Sequence, residues 1–162
     1  MRRTQLLCTI AAGLWSAAIA GSQAVPAAPS AQLRAHIQNE RYDIVTSIRG
    51  LPLGIRDRLE TMWGGALDIA EPGAQFQGAR ATGNSRLPTR RLVAAGCSSD
   101  FHCLVYYERG GTTPGWRAML FHWTPDMTRL ELGGTAPGGL ARVEDVQRAV
   151  LSGGIKDPAG QW

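Results

Sequence analysis

The chain has 162 residues, of which 17 are basic and 13 acidic, giving a formal net charge of +4 with its three histidines neutral. That length suits one core-forming domain. The positive excess is too small and too dispersed for a nucleic-acid reader, which needs arginines clustered on one face beside groove-reading or aromatic elements; beyond the N-terminus, Arg90-Arg91 is the only adjacent basic pair.

The N-terminus reads as an export signal. Arg2 and Arg3 form a positive start, and Leu6 through Ile19 form an apolar run interrupted only by small or hydroxyl residues, the pattern of a removable secretory leader. A run of about 14 residues falls short of the roughly 20 that a helix needs to cross a bilayer, and no later segment approaches that length. Small residues place cleavage after Ala20 or Ala24. The expected organisation is a signal over 1–24, a Pro/Ala-rich linker over 25–32 and one domain over 33–162, located in the periplasm or secreted, with no membrane contact after processing. Cys8, Arg2 and Arg3 leave with the signal, so 15 basic residues then face 13 acidic ones and the mature charge is +2.

Along the mature chain, Leu33, Ile37, Ile44 and Ile48 mark a helix within 31–48, weakened by the β-branched run Ile44-Val45-Thr46. A second helix follows Pro52, with Leu51, Ile55, Leu59 and Met62 at spacings of four, four and three, and Gly64-Gly65 stops it. The period then switches to alternation. Strands are expected at 67–70, 74–79, 90–96, 103–109, 116–123 and 128–132, the last four as an antiparallel meander divided by Gly110-Gly111 through Pro114-Gly115 and by Pro125-Asp126. In 116–123, Arg117, Met119, Phe121 and Trp123 share one face while Trp116, Ala118, Leu120 and His122 share the other. Apolar groups on both faces fit a sheet with helices on one side and partial burial on the other. A final helix at about 141–151 carries Val143, Val146 and Val150 on one side, with Glu144 and Asp145 near its positive end. The Gly-Gly pairs at 64, 110, 133, 138 and 153 read as element ends. The fold class is α+β: a meander sheet of about five strands, with helices before and after it.

Cys97 and Cys103 are the cysteines left after processing, and an even pair in an exported chain predicts a disulfide. The bond closes a ring around Ser98-Ser99-Asp100-Phe101-His102. A metal site on these thiols is the weaker reading, because two sulfurs and one histidine lack a fourth ligand. The ring holds Asp100 and His102 near the surface, and a rigid loop lowers the ordering cost of binding a partner. The plainer reading is that Asp100 caps a turn and His102 is solvated.

The stretch Ala95-Gly96-Cys97-Ser98-Ser99-Asp100-Phe101-His102-Cys103-Leu104-Val105-Tyr106-Tyr107-Glu108, followed by Met119-Leu120-Phe121, resembles the core of the periplasmic inhibitors of vertebrate lysozyme, the Ivy family. With Leu51-Pro52 and Ala70 to Gln75 upstream, the resemblance spans about 50–125. It implies a small α+β fold whose disulfide-closed loop enters the cleft of a C-type lysozyme. On that resemblance His102 meets the partner's catalytic carboxylates, and Asp100 orients it or pairs with a partner arginine. The family's loop is of the type Cys-Lys-Pro-His-Asp-Cys. Here five residues separate the cysteines instead of four, lysine and proline are missing, and the histidine follows the acidic residue.

Enzymatic motifs do not emerge. No Gly-x-Ser-x-Gly, phosphate-binding loop or His-Glu-x-x-His occurs, and Ser98, Asp100 and His102 share too small a ring to act as nucleophile, orienting acid and base on an entering substrate. His36 falls near the first helix, and His122, between Phe121 and Trp123, reads as a packing histidine. The expectation is therefore a binding or inhibitor protein without catalytic residues, cofactor or metal, presenting Asp100 and His102 to a partner that the resemblance implies is a lysozyme-type muramidase. The alternative is a carbohydrate- or peptidoglycan-binding or structural domain, with Tyr106, Tyr107, Trp116 and Trp123 as stacking surfaces, although aromatics of this kind usually fill a small core.

Overall fold

A computed structural model describes residues 28–78 and 86–156. Five antiparallel strands, β1 (Tyr42–Ile44), β2 (Arg90–Ser98), β3 (His102–Arg109), β4 (Gly115–Thr124) and β5 (Met127–Ala136), lie in the sheet in chain order. Helices α1 (Ala31–Ile37) and α2 (Leu53–Met62) precede β2, and α3 (Val143–Leu151) follows β5. This is the expected α+β meander. Among the described residues no helix is long and apolar enough to cross a membrane. The leader, most of the linker, residue 79 of the strand expected at 74–79 and the terminal Trp162 lie outside the described residues.

Alternation along the strands sends successive side chains to opposite faces. On one face Leu104, Tyr106, Ala118, Leu120 and Leu132 pack with Ile37 of α1 and with Val143, Val146 and Val150 of α3. On the other, Val105, Tyr107, Met119 and Phe121 pack with Leu51 and with Ile55 and Leu59 of α2. Helices therefore cover both faces, rather than one face with the other partly buried. Nearly continuous apolar runs in β3 and β4 are the consequence, since the middle of each strand is buried on both faces.

Three expectations are corrected. The first helix ends at Ile37 instead of reaching 48. Ser30 Oγ caps its start by accepting from the Leu33 amide at 3.1 Å, but Tyr42–Ile44 pairs with Gly96–Ser98 as an edge strand. The β-branched segment gains a ladder there that a helix would not give it. The strands expected at 67–70 and 74–79 reduce to a single parallel bridge, Ala70 to Arg91, with no strand over 74–78. The Ala70 amide donates to the Arg90 carbonyl and its carbonyl accepts from the Leu92 amide, both at 2.9 Å. Two short segments thus share the edge of β2, which blunts it against further pairing. Finally, Gly133-Gly134 lies inside β5, not at its end. A side chain on Gly134 would collide with the Lys156 carbonyl, and the bare backbone lets the C-terminal segment pair with Thr135.

The other helix boundaries follow their sequence signals. Pro52 stands at the N-cap of α2, and Gly64 and Gly65 adopt φ of 88° and 93° just past its end, a conformation that costs other residues. In α3, Glu144 and Asp145 occupy the first turn and Arg148 the last, each matching the sign of the helix dipole there.

Candidate functional site

The β2–β3 hairpin carries the disulfide. Cys97 and Cys103 face each other directly in the ladder and are bonded. Ser98 and His102 belong to the strands, so the true turn is Ser99-Asp100-Phe101. Phe101 takes φ of 65°, the one positive value at a non-glycine residue among the described residues, where a bulky side chain is disfavoured. The closed ring and a hydrogen bond from the Trp123 amide to the Phe101 carbonyl (2.8 Å) hold it there. Its ring remains 45% exposed, edge-on to Trp123 at 6.2 Å. Asp100 is exposed beside it.

His102 is not presented with Asp100. It is 4% exposed, because its position at the start of β3 puts its side chain on the same face as Leu104 and Tyr106, beneath the segment that links α1 to β1. Glu40, from that segment, is buried with it. Glu40 Oε1 accepts from His102 Nδ1 at 2.6 Å, and Glu40 Oε2 accepts from the Ser98 hydroxyl at 2.8 Å. The Ser98 oxygen in turn accepts from the His102 amide at 3.2 Å. Gln147 of α3 secures the segment by donating to the carbonyls of Ile37 (2.7 Å) and Glu40 (3.2 Å). A buried carboxylate is tolerable only when such partners surround it. Its charge reaches Tyr42, whose phenol is held far above the ordinary tyrosine range, first by burial and then by the neighbouring Glu40, with a further push from Asp100.

The carboxylate also anchors a histidine cluster. His36 Nε2 lies 3.3 Å from Glu40 Oε1. The His36 and His102 rings are 5.2 Å apart, and His102 is the ladder partner of His122, with those two rings also 5.2 Å apart. All three histidines of the chain thus converge on one cleft of about 540 Å³, lined by His36, His102 and His122 together with Leu33, Arg129 and Glu131. Arg129 and Glu131 are paired at its rim. A second cleft of about 530 Å³, lined by Ile44, Val45, Val93, Ala94 and Val143, is mainly apolar and lies away from this chemistry.

Of the sequence-predicted site residues, Asp100 is at the tip, His102 is buried at its base, and the Cys97–Cys103 bond joins the two. Ser98, Asp100 and His102 do not form a relay, since Ser98 and His102 both serve Glu40 and Asp100 points from the turn. Tyr106 and Tyr107 are fully buried and build the core, while Trp116, stacked on Tyr106 at 5.4 Å, and Trp123 are partly buried at its edge. Sequence reasoning missed Glu40. The four-residue spacing of His36 and Glu40 was the available signal, but their meeting with His102 and His122 depends on strand register. No protein-family model matches the chain, and it matches no curated protein and no solved structure.

Proposed function

We propose that the chain is an exported binding protein of the inhibitor type, working in the periplasm or outside the cell, and that it engages a protein partner through the tip of the β2–β3 hairpin. The observation that carries this reading is Phe101: a large apolar ring left exposed at a positive φ, beside the acidic Asp100, on a turn closed by a disulfide. Backbone strain of this kind persists where surrounding structure enforces it, and it concentrates at functional sites. A pre-ordered tip carrying one aromatic anchor and one charge suits insertion into a partner's cleft, because little freedom remains to be lost on binding.

The partner class comes from the resemblance to lysozyme inhibitors: a muramidase with an open catalytic cleft. The contact residues differ from those the resemblance implies. His102 is committed to Glu40, so Asp100 and Phe101 make the contact, with Asp100 facing an arginine or an amide donor and Phe101 filling an apolar subsite. The mature, processed domain is assayed against C-, g- and i-type muramidases for inhibition and for direct binding. Inhibition of at least one, reduced tenfold or more by Phe101→Ala or Asp100→Ala in folded protein, is the expected result. Absence of binding across the panel, or binding indifferent to both substitutions, overturns the proposal.

A further inference from the structure

We infer that the cleft between α1 and the β3–β4 ladder is a binding site for one divalent transition-metal ion, of the zinc, copper or nickel type, held by His36, His102 and His122 with Glu40 as the supporting carboxylate. The inference is independent of what the hairpin tip binds.

The geometry is that of imidazoles around a shared ion. Two histidines on one tetrahedral ion, with metal–nitrogen bonds of about 2.0–2.1 Å, keep their ring centres about 5 Å apart. Both the His36–His102 and the His102–His122 separations are 5.2 Å. The rings meet at interplanar angles of 74° and 61°, edge to face, so neither pair is a stack that would close the space between them. Donor atoms of His36, Glu40 and His102 lie within 4.8 Å of one another, a group that does not include His122; His122 joins it through its ring, 5.2 Å from that of His102, on the same cleft wall.

Glu40 is placed as a second-layer carboxylate. A histidine that binds a metal through one nitrogen usually donates the other N–H to a carboxylate, which fixes the tautomer and strengthens the ligand. Here a carboxylate 1% exposed accepts from His102 Nδ1. That bond occupies Nδ1, so Nε2 is the atom His102 would offer to an ion, on a ring that lines the cleft. Ser98 fixes the other carboxylate oxygen. His36, 54% exposed at its side chain, holds its Nε2 3.3 Å from Glu40 Oε1 and turns from that contact onto the ion as the outer ligand. Three protein nitrogens leave a fourth position open to the cleft for water or a partner's donor group.

The test uses tag-free mature protein, stripped with chelator and then titrated with Zn²⁺ by calorimetry and with Co²⁺ by visible absorbance. One ion per chain is expected, with the intense absorption of a four-coordinate cobalt site. His36→Ala and His122→Ala should each weaken binding tenfold or more, and Glu40→Gln by about 10- to 100-fold. His36 and His122 lie on the cleft wall, one exposed and the other partly exposed, so their variants keep the fold and circular dichroism verifies it. No stoichiometric binding by the wild type, or binding unchanged in both His36→Ala and His122→Ala, overturns the inference.

Discussion

Replacing Glu40 with alanine removes the group that ties three parts of the molecule together. Its side chain is 1% exposed and accepts hydrogen bonds from His102 Nδ1 and Ser98 Oγ. After truncation both donors stay buried without an acceptor. Hydrogen bonds to a charged group contribute about 1.5–3 kcal/mol each, and removing one member of a buried pair costs about 3–5 kcal/mol in all. Urea unfolding followed by tryptophan fluorescence should show a loss in that range with an unchanged slope, since the surface exposed on unfolding is the same. Glu40→Gln keeps an oxygen acceptor and should lose less. A double-mutant cycle with His102→Leu should give a coupling of about 1–3 kcal/mol, because replacing both polar partners removes the orphaned groups along with the bond. A loss below about 1 kcal/mol for Glu40→Ala would mean that the carboxylate is not buried against His102, and the account of the site would fail with it.

Three further outcomes follow from the same structure. All three tyrosines, Tyr42, Tyr106 and Tyr107, have phenols raised above the ordinary range, with burial the first cause in each. The unfolded chain ionises them near pH ~10, so their contribution to stability is whole below that pH and is lost as pH rises beyond it toward the folded values. Tyrosinate absorbance should therefore appear together with alkaline unfolding, and reversible ionisation of a phenol near pH 10 in folded protein would contradict the burial. Reducing the Cys97–Cys103 bond, with a sequence separation of 6, should cost about 2 kcal/mol by loop-closure entropy; an unfolding midpoint insensitive to reductant would refute it. Gly134→Ala should cost about 1–3 kcal/mol as overpacking, because its methyl would displace the Lys156 carbonyl that accepts from the Thr135 amide at 2.6 Å. Hydrogen exchange at the Thr135 amide reads this directly, and undiminished protection would show that the segment does not pair there.

Local signals carried far in some elements and stopped short in others. The meander was legible because the apolar, aromatic-rich runs of β3 and β4 and the Gly/Pro punctuation between them are consequences of pairing that each strand writes into its own residues. The helix over Leu53–Met62 was equally plain, since its apolar spacing and glycine stop act within a few residues. At 31–48 the sequence held two competing tendencies, a helical spacing and a β-branched run, and the free edge of β2 decided between them. The strand expected at 67–70 failed for the converse reason. Its residues suit a strand, yet only Ala70 reaches the β2 edge, at Arg91, beyond the stretch that β1 pairs, and it makes only a bridge.

Sequence alone determined the export-type leader as an expectation, the α+β class, the four-strand meander of β2 to β5 and the pairing of the two cysteines, because each depends on composition, period or local turn chemistry. Tertiary structure alone decided which way His102 faces and what it meets. One residue of phase in a strand selects the face of a side chain, and that choice sent the imidazole inward to Glu40, 62 residues away in the chain, leaving Phe101 outside. The gathering of His36, His102 and His122 has the same origin: a helix, a hairpin and a ladder register bring together groups whose separations along the chain say nothing of their distance in space.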